Sequence, residues 1–109
     1  MAYSESLAER VQAVVARKKN FVAKKMFGGI CFMLNGNMCV GIWKDSLIAR
    51  VGPDQYESAL AEPNVMNFDI TGKPMKAWVL VKPAGVESEE QLKSWINRSV
   101  KFVTTLIPK

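Results

Sequence analysis

The spacing of apolar residues along the chain predicts a helix at each end. Near the N-terminus, after Ser4 as a suitable N-cap, apolar residues recur at helical intervals on one face: Leu7, Val11, Val14 and Val15. Near the C-terminus, Ser88 and Gln91 have the spacing of a capping box. The residues that follow keep a helical period of apolar positions: Leu92, Trp95, Ile96, Ser99, Val103 and Leu106.

Between these helices the pattern is that of strands and tight turns. Residues 25–34 and 38–43 are rich in apolar side chains and flank Asn35-Gly36, which predicts a β-hairpin because both turn residues tolerate positive φ. A third strand is expected at 47–51. Gly52-Pro53 then starts a short helix whose inward side is Tyr56, Ala59 and Leu60.

Two further strands complete the predicted sheet, one around residues 65–70 and one over 76–82. The order is therefore α-β-β-β-α-β-β-α in a single domain spanning residues 1–109. We expect an α+β, two-layer fold with a five-stranded antiparallel sheet and helices on one face, because each apolar face must be covered by another layer.

Several motifs in this order resemble the TfoX N-terminal domain family: Lys25-Met26-Phe27-Gly28-Gly29, the hairpin at 32–39, Arg50-Val51-Gly52-Pro53, and the segment at 71–79. The resemblance implies the same two-layer fold in a bacterial protein. Its name-giving members, the TfoX/Sxy regulators, help to switch on DNA-uptake (competence) genes with a transcription factor. Those regulators carry a second, C-terminal domain, whereas this sequence ends at Lys109, so a stand-alone member is expected. The family supplies no catalytic residues to carry over.

Both faces of the predicted hairpin are apolar. Strict alternation assigns Ile30, Phe32, Leu34, Cys39 and Trp43 to one face, and Phe27, Cys31, Met33, Met38, Val40 and Ile42 to the other. If the helices cover only one face, the other is a candidate interface with a protein partner or a second copy of the chain. The candidate interface residues are Met33, Met38, Val40 and Ile42. The alternative is that a helix or the chain ends cover this face.

The net charge of +5 is unevenly distributed, since residues 10–44 hold seven basic residues and no acidic one. A candidate nucleic-acid contact lies there: Arg17, Lys18, Lys19, Lys24 and Lys25. No base-reading motif accompanies these residues, so only weak, sequence-blind binding is expected. Two other interpretations are a solvated surface and charges that protect a hydrophobic strand from aggregation.

The chain has no histidine, which removes the commonest general base and metal ligand, and we expect neither an enzyme nor a cofactor or metal site. The remaining enzymatic possibility is Cys31 or Cys39 as a nucleophile, which needs a lowered thiol pKa. A two-residue hairpin loop pairs Cys31 with Val40 and places the cysteines on opposite faces. A three-residue loop leaves them only diagonal, so neither register allows a disulfide. Buried apolar thiols are the favoured interpretation.

No apolar stretch approaches the length of a membrane span, and the N-terminus has no pattern of a signal peptide. A cytoplasmic location without membrane contact is therefore expected.

The Gly28-Gly29 pair lies in a predicted strand, where glycine usually marks a bulge or a close approach of two backbones.

Overall fold

The computed structural model describes residues 4–18, 20–26, 29–68 and 77–107. They form three α-helices and one six-stranded antiparallel sheet. The elements in chain order are α1 (Glu5–Val15), β1 (Phe21–Met26), β2 (Gly29–Leu34), β3 (Asn37–Trp43), β4 (Ser46–Arg50), α2 (Pro53–Leu60), β5 (Val65–Asn67), β6 (Trp78–Val81), a 3₁₀ turn (Pro83–Gly85) and α3 (Glu89–Val103).

Local sequence signals set the starts of the helices. The Ser4 hydroxyl accepts a hydrogen bond from the Leu7 amide at 3.2 Å and caps α1. At α3 the predicted capping box is confirmed. The Ser88 hydroxyl accepts from the Gln91 amide at 3.1 Å, and the Gln91 side-chain oxygen accepts from the Ser88 amide at 3.0 Å. Pro53 occupies the first turn of α2, as the sequence predicted.

The sheet has the order β1-β2-β3-β4-β6-β5, so β1 and β5 are its edges. The prediction of five strands was wrong by one, because the stretch expected as a single strand at 25–34 belongs to two strands that pair with each other. The first of these begins at Phe21, four residues before the predicted start. Residues 27 and 28, between the two strands, are not among the described residues.

A β-bulge interrupts the pairing of β2 with β3. Leu34 pairs with Asn37 and Met33 with Met38, as a two-residue loop requires, but Phe32 then pairs with Val40 and leaves Cys39 as the extra residue. The predicted partners of Cys31 and Phe32 were therefore wrong by one residue, and Cys31 pairs with Gly41. Arg50 of β4 supports the bulge, since its Nη1 donates a hydrogen bond to the Met38 carbonyl at 3.3 Å.

The bulge reverses the facing of the second half of β3, because side chains alternate with a period of two. Val40 and Ile42 lie with Phe32 in the main core, whereas Trp43 lies with Met38 on the opposite face. Strict alternation had placed Val40 and Ile42 on the face of Met38, and Trp43 on the face of Phe32, and both of these placements are therefore wrong.

The main core fills the space between all three helices and one face of the sheet. Its fully buried large side chains include Phe32, Ile42, Leu47, Leu92 and Ile96. A smaller cluster lies on the outer face of the sheet, where Phe68 packs against Ile48 and Leu80. The Phe68 ring lies 6.3 Å from the Trp43 ring and 6.5 Å from the Trp78 ring, measured between centroids. Phe68 thus covers the outer face of the central strands.

The described part of the glycine pair confirms the close-approach interpretation. A Cβ at Gly29 would overlap the carbonyl oxygen of Ile42 on the neighbouring β3. Gly28 lies outside the described residues. The predicted strand at 76–82 is seen from Trp78 to Val81, and its residue 76 is also undescribed.

Among the helices of the described residues, none is both long enough and apolar enough to cross a bilayer.

Candidate protein-interaction surface

The four predicted interface residues divide between two environments. Val40 and Ile42 are 0% and 1% exposed and lie under the helices, because the bulge turned them inward. Neither is accessible at the surface of the folded chain, so the candidate interface cannot contain all four residues. Met33 and Met38 are half-buried and lie on the outer face. An interface that includes these two methionines stays a prediction.

An apolar row crosses the outer face of the first three strands. Val22 of β1 pairs with Met33 of β2, which pairs with Met38 of β3, and directly opposed residues share a face. Val22 is 58% exposed. Sequence reasoning missed Val22 because residues 21–24 were assigned to no strand. The short apolar run Phe21-Val22-Ala23 before two lysines was the available signal.

Strand β1 is open on both faces. Residues 22–25 are all exposed, although they belong to a strand that is hydrogen-bonded to β2. Val22 and Lys24 point to the outer face, since they pair with Met33 and Cys31. Ala23 points to the helix face with its partner Phe32. The helices therefore leave this edge of the sheet uncovered.

A groove of about 450 Å³ lies between α1 and the sheet beside β1. Ile30 and Phe32 of β2 form its floor, and Glu5 and Glu9 lie along the wall that α1 provides. The rest of this wall is Gln12 and three small residues, Ala8, Ala13 and Ala16. Because Lys25 and Ala23 pair with Ile30 and Phe32, the helix-side surface of β1 continues the floor of the groove.

A hydrogen bond at the start of β1 shows which backbone groups of this strand point toward β2 and which point toward the open edge. The Asn35 amide donates to the Asn20 carbonyl at 3.2 Å, just before the pair Phe21 with Leu34. In an antiparallel pair, hydrogen-bonded and non-hydrogen-bonded residues alternate. The backbone N–H and C=O groups of Phe21, Ala23 and Lys25 therefore point away from β2, toward the open edge.

The structure does not gather the predicted nucleic-acid residues on one face. Lys24 and Lys25 are exposed on opposite faces of β1, because they are adjacent in a strand. Arg17 and Lys18 follow α1 and line a different depression, which they share with Lys93 of α3. Lys19 lies outside the described residues. Nucleic-acid contact by this set remains an untested prediction.

The two thiols have the environment of core residues. Cys31 and Cys39 are free, 2% and 0% exposed, and on opposite sides of the sheet. Burial raises the pKa of the Cys31 thiol, and it raises the pKa of the Cys39 thiol to about 12, although Arg50 and Lys18 act in the opposite direction. A thiolate nucleophile needs the reverse shift. In the described part of the chain, no group of three or more metal-ligating side chains occurs.

The architecture can be set beside known proteins. The family model described as the TfoX N-terminal domain matches residues 13–103, from within α1 to the end of α3. No curated protein and no solved structure matches the chain. The matched residues include the six described strands and hence the apolar row of Val22, Met33 and Met38. The resemblance drawn from the sequence motifs is therefore confirmed, and the chain belongs to the TfoX N-terminal domain family.

Proposed function

We propose that this protein is a non-enzymatic binding module that regulates through protein–protein contacts made at β1. One observation carries the proposal, namely that the four successive residues 22–25 are exposed in a strand at the edge of the sheet. An edge strand that is open on both faces offers backbone hydrogen-bonding groups and side-chain surfaces to the same partner.

Two surfaces that flank β1 add to this proposal. The helix side carries the groove beside α1, and the outer side carries the apolar row of Val22, Met33 and Met38. Methionine and aliphatic side chains adapt to a protein surface and are frequent at interfaces. The buried thiols, with their raised pKa values, support a role that does not depend on cysteine chemistry.

The test is site-specific cross-linking in the native host. A photoreactive phenylalanine derivative at position 22 should cross-link to a partner protein, whereas the same group at exposed position 57 on α2 should not. Met33→Glu should lower the cross-linking yield at least about tenfold, the effect of roughly 1.4 kcal/mol, and reproduce the phenotype of deleting the gene. Glu57→Lys is the matched surface control and should do neither.

Two results would contradict the proposal. One is that the protein labelled at position 22 keeps its full function in the cell although no other protein is cross-linked to it. The other is a folded double variant, Cys31→Ala with Cys39→Ala, that loses function while its cross-linking is unchanged, since this would indicate thiol chemistry.

A further inference from the structure

The open edge of β1 also indicates the chemistry of its partner. We infer that β1 binds an extended segment of another protein as an added strand, and that this segment alternates acidic and apolar residues. The inference rests on the proposed function and specifies which kind of protein segment occupies the surface.

The backbone provides the first requirement. The N–H and C=O groups of Phe21, Ala23 and Lys25 point toward the open edge, so an added strand forms hydrogen bonds at these three positions. In such strand addition, main-chain hydrogen bonds supply affinity, and alternate side chains supply specificity.

The helix side selects an apolar side chain. A residue of the added strand opposite Ala23 directs its side chain to the helix face, because directly paired residues share a face. Ala23 is small and exposed there, and the adjoining groove has Ile30 and Phe32 as its floor. Glu5 and Glu9 line the same groove and repel an acidic side chain, so an aliphatic residue is the better occupant.

The outer side selects an acidic side chain. The next residue of the added strand points to the outer face and lies beside Lys24, which is exposed and has no ion-pair partner within the described residues. The described outer-face side chains of β1, β2 and β3 carry no negative charge: Val22, Lys24, Cys31, Met33, Met38 and Trp43. The period of two then gives the alternation of acidic and apolar residues.

A second copy of this chain fits the same edge less well. Pairing β1 with another β1 would place Lys24 and Lys25 of both copies along one seam, and the strand holds no acidic residue to compensate. Lysines on edge strands are a common protection against such self-pairing. The acidic side chains of the inferred partner strand lie on the outer face, where they meet Lys24 favourably.

The inference can be tested with labelled peptides and the whole chain. The probe is a peptide of eight alternating glutamate and valine residues, measured by fluorescence anisotropy at low ionic strength. Two controls are a peptide with lysine in place of glutamate, and one with the four glutamates and four valines in separate blocks. We expect the alternating acidic peptide to bind at least ten times more tightly than either control. It should also slow amide hydrogen exchange at Phe21, Ala23 and Lys25.

Two variants separate strand addition from general charge attraction. Ala23→Pro removes an N–H that points to the open edge, where proline is tolerated in a sheet, and should abolish binding. Asn67→Pro is the matched control on the other edge, since its amide also points away from its neighbour β6, and it should bind as the wild type does. Lys24→Glu should reverse the preference so that the lysine–valine peptide binds best.

Each of the opposite outcomes overturns the inference: no binding of the alternating acidic peptide, equal binding of all three peptides, or undiminished binding by folded Ala23→Pro. These failures leave the proposed function standing if position 22 still cross-links to a protein in the cell. If cross-linking also fails, both proposals fall.

Discussion

Replacing Ile42 with alanine tests the consequence of the bulge most directly. Ile42 is 1% exposed in the main core, and its side chain faces the helices only because Cys39 is an extra residue in β3. Removing three buried carbon atoms should lower the free energy of unfolding by about 2–5 kcal/mol, the range of large-to-small core substitutions. With a urea dependence of about 1.5 kcal/mol/M for a domain of this size, the unfolding midpoint should fall by roughly 1–3 M.

Met33→Ala is the matched comparison, because uninterrupted alternation would place Met33 and Ile42 on the same face. Met33 is only half-buried on the outer face, so its replacement should cost about 1 kcal/mol or less. Ile42→Val should cost about 0.5–1.5 kcal/mol, which is less than Ile42→Ala. Urea titrations followed by tryptophan fluorescence and by circular dichroism give all three values. Equal losses for Met33→Ala and Ile42→Ala would refute the register described here.

Two further predictions concern titration and salt. Burial raises the pKa of Cys39 from 9.0 to about 12, so this thiol loses its proton at a lower pH in the unfolded chain than in the folded one. The contribution of the protonated thiol to the free energy of unfolding is therefore complete below about pH 9 and declines as the pH rises toward 12. Urea titrations should therefore show a steeper alkaline loss of stability for the wild type than for Cys39→Ala, and parallel curves would contradict the burial of this thiol. Because Lys24 and Lys25 face opposite ways, a DNA duplex should reach only one of them, and any binding should show a log–log salt slope of about −1 to −2. A slope near −4 that falls to about half in the Lys24→Ala, Lys25→Ala double variant would instead favour the nucleic-acid interpretation.

The elements with strong local signals were predictable from the sequence. Asn35-Gly36 fixed the hairpin loop, and the pairing of Leu34 with Asn37 follows from it. The capping box at Ser88 marked the start of α3 to the residue. These features depend on groups within a few positions of one another, which is why a single sequence reveals them.

The bulge and the first strand were not predictable in the same way. The residue type at position 39 does not indicate a bulge. The extra residue depends on the pairing with β2 and on the hydrogen bond that Arg50 donates to the Met38 carbonyl, 12 positions away in the chain. Strand β1 was not predicted because it is an edge strand, paired on one side only, and because Lys24 and Lys25 interrupt its apolar pattern. The candidate surface depends on both features, so the sequence identified Met33 and Met38 but not Val22.

The bulge also determines which kinds of sequence change this fold can accept. Exchanging Cys39 for another small apolar residue keeps the length of β3 and hence the facing of every other side chain. Deleting that one codon would join Met38, which faces outward, to Val40, which faces the helices, so pairing with β2 would become regular and every remaining side chain would keep its face. Asn37 is 4% exposed and donates to the Ile107 carbonyl at 3.0 Å, and this contact with the C-terminal segment would be kept as well. Removing a residue outside the bulge would instead turn part of the strand over, so natural variation in the length of β3 should be confined to the bulge.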